Sequence, residues 1–462
     1  MSKRESADRV RQAQQELSGA QLPDQRLEAR LQQLVGALAR QPEQSLPAAM
    51  GSGAALEASY RFLGNERVKA EAILKPHVER TLERCRQYGR TLAVFDTTEV
   101  RLGGERPELG PLPQGRGMLA HVGLSLSADG RSEPLGVLHL EAWARPAEAK
   151  QRKHGAGQPD NERLRWHRAV EAVHRMTPDA VCVMDREADV FELLREMSER
   201  GQSFVVRVAQ NRNTEQGLLW EQLHDMPTLA NREVKLAGRG ARRRRHDREQ
   251  YPARSEHIAR VELQARAVVL RSPNSSRNEQ AAFQTLALHL VQVIEREPPG
   301  QEPPLHWVLL TNLPIATAHD VDFVVDSYRA RWTIEELFKA LKSGCALERR
   351  QLGSLSSMTN LLAVSLPIAW LMLRLRSVAR EQPERTAATM LSAPMLHCLR
   401  VLYGQRSRQP LPEQPTASQL LWAIAALGGH IKNNGQPGFL VLGRGMGVLI
   451  NATDTALALG LL

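Results

Sequence analysis

Two short apolar runs, each closed by an aspartate, constrain the fold of this chain more than any other feature. The runs are Thr91-Leu-Ala-Val-Phe-Asp96 and Ala180-Val-Cys-Val-Met-Asp185, and both have the length of a buried strand. Around them, strand-like segments alternate with helical patterns, an order that predicts an α/β domain. A carboxylate at a strand end projects beyond the sheet edge, where solvent and substrate can reach it.

If the two strands are neighbours, Asp96 and Asp185 supply two hard oxygen ligands side by side. With a third carboxylate they could bind a pair of Mg²⁺ ions, which prefer oxygen ligands and keep water positions for phosphate oxygens. Either aspartate alone is better explained as a turn residue or a helix N-cap, and only the pair makes the metal site an equal alternative. Glu99, Glu187 and Asp189 are carboxylates that could take their place.

The flanking segments complete the predicted order of elements. Strands are expected over 118–127, 134–142, 203–208 and 306–311, and helices over 161–176, 189–200 and 320–343. Residues 214–305 instead show strand-like alternation between proline-rich turns, including 260–268 and 283–295. They predict a β subdomain inserted in the α/β unit. Its basic run, 239–245, is expected to be a solvated hairpin tip.

Helical patterns dominate both ends of the chain. Leu27, Leu31, Leu34 and Leu38 recur at helical spacing, and a second helical pattern covers 54–63. A small DNA-binding module and a helical cap on the next domain both fit residues 1–70. Beyond residue 375 the chain is helical and apolar, and this region can pack on its own chain or on a second subunit.

Composition limits the class of protein. With 462 residues, 42% of them hydrophobic, the chain can form about two to four domains, which excludes a disordered chain, a disulfide scaffold and a collagen-like fibre. The four scattered cysteines argue against a zinc ribbon. No secretory signal follows Met1, and the longest apolar stretch is interrupted by Pro367, so a cytoplasmic protein without membrane contact is expected. A net charge of +10 permits a polyanionic partner without requiring one.

The predicted helix over 320–343 carries a polar stripe. Counted at about 100° per residue from Tyr328, Arg331, Glu335 and Lys342 fall within one sector of roughly 60°. Such a stripe suits phosphodiester chemistry, with Glu335 on metal and the other three side chains on phosphates. A solvated face with an Arg331–Glu335 ion pair explains the same spacing equally well. Apolar residues lie on a different side, suited to packing on the sheet: Ile334, Leu337, Phe338 and Leu341.

Tyr328-x-x-Arg331-x-x-x-Glu335-x-x-x-x-x-x-Lys342 resembles the YREK signature of bacterial insertion-sequence DDE transposases. Asp96-Thr-Thr and Asp185-Arg-Glu-Ala-Asp189 resemble that family's first two catalytic-aspartate motifs. Residues 427–438 look like its C-terminal motif. The resemblance covers nearly the whole chain and is strongest to the cut-and-paste transposase of the kanamycin-resistance composite transposon.

The resemblance implies an architecture. Residues 1–70 would be a helical DNA-binding region. Residues 71–374 would be a ribonuclease-H-like catalytic core of the α/β class, with the β insertion at about 214–305. Residues 375–462 would be a helical dimerisation region.

The resemblance also implies residue roles. Asp96, Asp185 and Glu335 would be catalytic and hold two Mg²⁺ ions, which Mn²⁺ can replace. Tyr328, Arg331 and Lys342 would contact DNA phosphates beside the scissile bond. Trp307 would stack on a flipped base and Arg207 would lie near the active site, although a tryptophan at a strand start is more often a core or interface residue.

The predicted partners are double-stranded DNA, namely transposon-end inverted repeats and target DNA, and a second copy of the chain in the synaptic complex. The protein would be bacterial and associated with the nucleoid when DNA-bound. Two rival functions remain open: a catalytically inactive DNA-binding inhibitor of transposition, and a structure-selective nuclease such as a junction resolvase. The three acids disfavour the first and the YREK stripe disfavours the second.

Overall fold

The structure is a computed structural model. It describes residues 8–104, 106, 108–146, 162, 164–236, 238, 240, 242–243, 250–251, 253–273, 284–350, 352–407, 409–431 and 435–462. Most of the predicted hairpin tip at 239–245 lies outside the described residues. The same is true of residues 161 and 163 of a predicted helix, residue 283 of a predicted strand and residues 432–434 of the C-terminal motif.

Helices and strands are numbered here in chain order. The helices are α1 Asp8–Glu16, α2 Gln25–Arg40, α3 Leu46–Met50, α4 Gly53–Leu63, α5 Ala70–Cys85, α6 Leu164–Met176, α7 Phe191–Glu199, α8 Ala318–Ala330, α9 Trp332–Lys339, α10 Leu355–Glu381, α11 Ala393–Arg406, α12 Ala417–Leu427 and α13 Phe439–Ala458. The strands are β1 Thr91–Arg101, β2 Gly110–Pro111, β3 Arg116–Ser127, β4 Pro134–Trp143, β5 Val181–Met184, β6 Phe204–Arg207, β7 Asn213–Thr214, β8 Gly217–Leu218, β9 Thr228–Leu236, β10 Arg242–Arg243, β11 Gln250–Tyr251, β12 His257–Arg271, β13 Thr285–Glu295 and β14 His306–Thr311.

The chain forms two compact units. The first comprises Met1–Thr91, Asp96–Asn161 and Thr333–Leu462, and the second comprises Leu92–Phe95 and Glu162–Trp332. Strand β1 is divided between the units: Leu92–Phe95 lies in the second, and Thr91 and residues 96–101 lie in the first. The predicted boundary between residues 374 and 375 remains a prediction; α10 runs without interruption across that position.

Helices dominate the first unit. Helix α2 begins at its N-cap Asp24 and buries Leu31, Leu34 and Leu38, so the predicted amphipathic helix is confirmed. Helix α10 is long and apolar enough to cross a membrane by length and composition. Because 89% of its apolar window is buried inside the structure, it resembles the core helix of a globular protein.

The second unit is built on a mixed sheet. Leu92–Phe95 of β1 lies beside β5 with Val94 paired to Val183, and β5 runs parallel to β6. Antiparallel strands β14, β13 and β12 extend the sheet from β6. The segment predicted as an inserted β subdomain is therefore β-rich, and its longest strands continue the same sheet through β14.

The sheet order fits the predicted fold class. In the first unit β3 pairs with β4, and Leu102 at the end of β1 donates its N–H to the carbonyl of Arg116 on β3. Along the chain, α6 follows β4, and α7 lies between the parallel neighbours β5 and β6 of the second unit. This mixed α/β order is consistent with a ribonuclease-H-like core.

Two local predictions are wrong. Asp96 does not end its strand, because β1 continues to Arg101. The single helix predicted over 320–343 is divided into α8, α9 and a π-helical turn, Ala340–Gly344. The N–H of Arg331 bonds the carbonyl three residues back, and the N–H of Cys345 bonds the carbonyl five residues back. These bonds tighten and then widen the helix, so a uniform 100° per residue does not hold from Tyr328 to Lys342.

Candidate catalytic site

Asp185 directly follows β5 in the second unit and begins a short 3₁₀ turn, Arg186–Ala188. Its carboxylate accepts the N–H of Glu187 at 2.9 Å, so the residue both follows a strand and caps a turn. The N-cap explanation is therefore confirmed for Asp185, and its role as a metal ligand stays a prediction. The side chain is half-buried, which leaves carboxylate surface for a ligand.

Asp96 is placed by β1. The N–H of Thr97 donates to its Oδ1 at 2.7 Å, and the side chain is half-buried. Asp96 lies two residues after Val94, and Asp185 lies two residues after Val183; these valines are register partners. Each aspartate therefore lies two residues beyond one of these valines, Asp96 inside β1 and Asp185 directly after β5.

The substitute carboxylates near Asp185 have other partners. Asp189 is buried and accepts hydrogen bonds from the backbone N–H groups of Ala209 and Gln210, and its Oδ1 lies 2.6 Å from Arg212 Nη2. Its oxygens are therefore occupied by structural bonds. Glu187 pairs with Arg165, and burial raises the pKa of Glu187 despite that arginine.

Glu335 lies in the first turn of α9, in the part of the helix that belongs to the first unit. Its side chain is half-buried, whereas the neighbouring Glu336 is buried and lies 3.4 Å from Arg380 Nη1. The predicted apolar side of this segment is confirmed, because its members are all buried: Ile334, Leu337, Phe338 and Leu341.

Lys342 lies in the π-helical turn of the first unit and is half-buried. Burial lowers the pKa of its ammonium group, while Glu348 acts in the opposite direction. Glu348 also accepts the N–H of Arg101 at 3.0 Å, and Arg101 and Glu99 contribute to the field at Lys342. Glu99 therefore lies in the electrostatic surroundings of this lysine.

The second unit brings three predicted DNA-contacting residues to one face of its sheet. Arg207 pairs with Leu309, and Trp307 is two residues from Leu309 on β14, so these side chains share a face. Tyr328 of α8 meets Trp307 edge to face, with ring centroids 5.6 Å apart. Arg331 follows α8 and is half-buried.

Trp332 is not among the site residues predicted from the sequence. Its side chain is 54% exposed, which is unusual for a large aromatic residue. The sequence contained a signal for this exposure. At 100° per residue, Trp332 falls about 40° from Tyr328, on the side away from the apolar residues. It is the residue that follows Arg331.

The fit to a metal rests on the chemistry of the donor set. Three carboxylates provide the hard oxygen ligands that Mg²⁺ prefers, and all three are half-buried. Among the described residues the structure contains no ready-made cluster of three or more His, Cys, Asp or Glu side chains that could hold a metal ion. The carboxylates thus fit the ion by ligand type.

Two family models match this chain. Residues 11–68 match the model described as transposase DNA-binding, and residues 159–371 match the transposase DDE domain. The second range contains Asp185 and Glu335, whereas Asp96 precedes it. The chain therefore contains a transposase DDE domain and, before it, a transposase DNA-binding domain.

A solved structure is also similar, described as the cryo-EM structure of a piggyBac transposase synaptic complex with hairpin DNA. The two chains are 9% identical with a TM-score of 0.34, and the match covers 68% of this chain and 52% of the other. The chain therefore spans about half the length of the solved chain that it matches.

Proposed function

We propose that this protein catalyses metal-dependent DNA cleavage at transposon ends and strand transfer into target DNA, the reactions of cut-and-paste transposition. The observation that carries the proposal is the DDE-domain match across Asp185 and Glu335. The position of Asp96, two residues beyond a register-paired valine, supports it. The YREK spacing and the likeness to the transposase of the kanamycin-resistance transposon belong to the same proposal.

In this proposal Asp96, Asp185 and Glu335 supply oxygen ligands to divalent metal, two Mg²⁺ ions that Mn²⁺ can replace. Bound metal would supply Lewis-acid activation of the attacking oxygen and stabilisation of the leaving oxygen. The cationic side chains of Arg331 and Lys342 hold DNA phosphates. Further DNA contacts come from α8 and from the sheet face shared by β6 and β14. Tyr328 contacts a phosphate, Trp307 stacks on a flipped base, and Arg207 lies beside them.

The proposed partners are transposon-end and target DNA, together with a second copy of the chain in a synaptic homodimer. The N-terminal match to a transposase DNA-binding domain supports the DNA partner. We also propose a cytoplasmic location, with association to the nucleoid when DNA is bound. The burial of α10 inside the structure agrees with this location.

The test is cleavage of duplex DNA that carries matched terminal inverted repeats, in the presence of Mg²⁺. Asp185→Asn should abolish cleavage and leave end binding measurable, because the amide keeps the shape but loses the charge needed for metal. Asp179→Asn is the matched control, since Asp179 is exposed in the turn before β5. Removal of divalent metal with EDTA should likewise abolish cleavage by the wild-type chain.

The same assay separates the rival functions. Full cleavage by Asp185→Asn contradicts the assigned triad. End binding without nicking by the wild-type chain indicates an inactive inhibitor. Cutting of branched DNA without terminal repeats, and without joining of ends, indicates a structure-selective nuclease.

A further inference from the structure

Helix α1 and the C-terminal half of α10 border a polar cleft in the first unit. The cleft has an empty volume of about 380 Å³ and is open to solvent. Its polar lining consists of Arg9, Gln12, Arg374, Arg385 and Thr389. Three guanidinium groups thus line one opening, and we call it the arginine cleft.

Arg9 is the unusual member of this set. It is only 8% exposed, and its Nη1 donates to the carbonyl of Leu371 at 2.9 Å. Its Nε is buried and has no hydrogen-bond partner among the described residues. Burial and the nearby Arg374 lower the pKa of Arg9 to about 10. Arg9 has no carboxylate partner among the described residues. A buried cation without one is costly, and bound anionic oxygen would relieve that cost.

The other two arginines share one carboxylate. Glu133 Oε1 lies 3.0 Å from Arg374 Nε, and Glu133 Oε2 lies 4.0 Å from Arg385 Nη1. Arg385 also donates from Nε to Thr389 Oγ1 at 3.0 Å. Counted over the described residues, the three guanidinium groups and this one carboxylate leave an excess of about two positive charges at the cleft.

We propose that the arginine cleft binds a phosphate group. Guanidinium groups present planar pairs of donors that match the oxygens of a tetrahedral oxyanion, and the excess charge suits a phosphate better than a single carboxylate. The phosphate belongs either to free inorganic phosphate or to the backbone of DNA. The inference does not rest on the proposed catalytic function, because it uses none of the catalytic residues.

Binding has a structural consequence. Arg9 is on α1, whereas Arg374 is on α10 and Arg385 follows it. A phosphate held by all three would therefore fasten α1 to α10. Ligand that binds only the folded state raises the unfolding temperature, so phosphate should stabilise the chain.

The first experiment measures the full chain by calorimetric titration and thermal unfolding with inorganic phosphate, against chloride at equal ionic strength. Wild type should bind phosphate and gain about 2 °C or more in unfolding temperature. Arg9→Leu should lose at least about tenfold in phosphate affinity, and it should fold, since an apolar replacement of an unpaired buried charge is tolerated. Arg400→Gln, which removes one charge from an exposed position on α11 outside both matched domains, should behave like wild type.

The second experiment identifies the source of the phosphate. A labelled short duplex is titrated with protein, with and without inorganic phosphate at constant ionic strength. If inorganic phosphate competes with the duplex for wild type but not for Arg9→Leu, the cleft takes a phosphate of the DNA backbone. If wild type and Arg9→Leu bind the duplex equally, while the substitution still weakens binding of inorganic phosphate, the cleft takes free phosphate. If neither titration responds to Arg9→Leu, the proposal is overturned.

Discussion

At the scale of single residues, hydrogen-bond partners distinguish carboxylates that look alike in the sequence. Asp185 and Asp189 are four residues apart in one motif. Asp189 is buried against Arg212 and two backbone N–H groups, whereas Asp185 is half-buried and accepts one local N–H. Only Asp185 therefore retains carboxylate oxygen surface that a metal ion or a substrate can contact. That difference depends on Arg212, which the local pattern does not connect to Asp189.

Tyr328 allows its ring and its hydroxyl to be tested separately. The ring packs on Trp307, but the hydroxyl makes no hydrogen bond within the described part of the chain. Tyr328→Phe should therefore keep the unfolding free energy within about 0.5 kcal/mol, yet weaken end binding several-fold through loss of a phosphate contact. Trp307→Ala should instead cost on the order of 3 kcal/mol of stability. Wild-type end binding by Tyr328→Phe would contradict the phosphate role.

Glu16 predicts a specific pH dependence of stability. Burial alone would raise its pKa, but hydrogen bonds with His77 and Arg84 outweigh burial and lower it to about 2. The distances are 2.5 Å to His77 Nδ1 and 2.8 Å to Arg84 Nη1. Because the folded pKa lies below the ordinary 4.5, this stabilisation is complete above about pH 4.5 and is lost as the pH falls toward 2.

Glu16→Gln should lower the unfolding free energy on the order of 2 kcal/mol at neutral pH, measured by urea denaturation. The difference from wild type should shrink as the pH falls from 5 to 3 (about the range of carboxyl titration). Glu79→Gln, an exposed α5 position paired with Lys75, is the control and should change stability little. A difference that stays constant over this range would contradict the charged role of Glu16.

At the scale of elements, hydrogen-bond spacing and close backbone approach shape the helices. The break between α8 and α9 and the π-helical turn both lie inside an unbroken helical pattern. Helices α12 and α13 approach so closely that a Cβ on Gly445 would lie 1.8 Å from the carbonyl oxygen of Ile424. Glycine is therefore required there by space, although its backbone is ordinary helix.

Gly445→Ala should destabilise the chain by about 1–3 kcal/mol, because the helices must separate to admit the methyl group. Gly404→Ala is the matched control: Gly404 is in α11, and an added Cβ meets nothing within 4 Å. That change should be neutral or stabilise by up to about 1 kcal/mol, since alanine favours helix. Equal effects of the two substitutions in denaturant unfolding would rule out the close-packing explanation.

At the scale of the whole molecule, the net charge of +10 predicts that the affinity for DNA depends on salt concentration. Binding to duplex of unrelated sequence should weaken steeply with salt, by roughly 10³-fold between 50 and 200 mM if about six phosphates are neutralised. Lys342→Ala should reduce the slope of log affinity against log salt by about one. Fluorescence anisotropy across a salt series measures both, and a flat series would contradict an electrostatic DNA contact.

The sequence by itself determined the order of strands and helices, the apolar side of α9 and the family motifs. These features are encoded by local periodicity and by residue spacing. Only the tertiary structure decided the pairing of Val94 with Val183, the structural use of Asp189 and the burial of Arg9 in a cleft. Each of these depends on residues distant along the chain, whose pairing local periodicity does not specify.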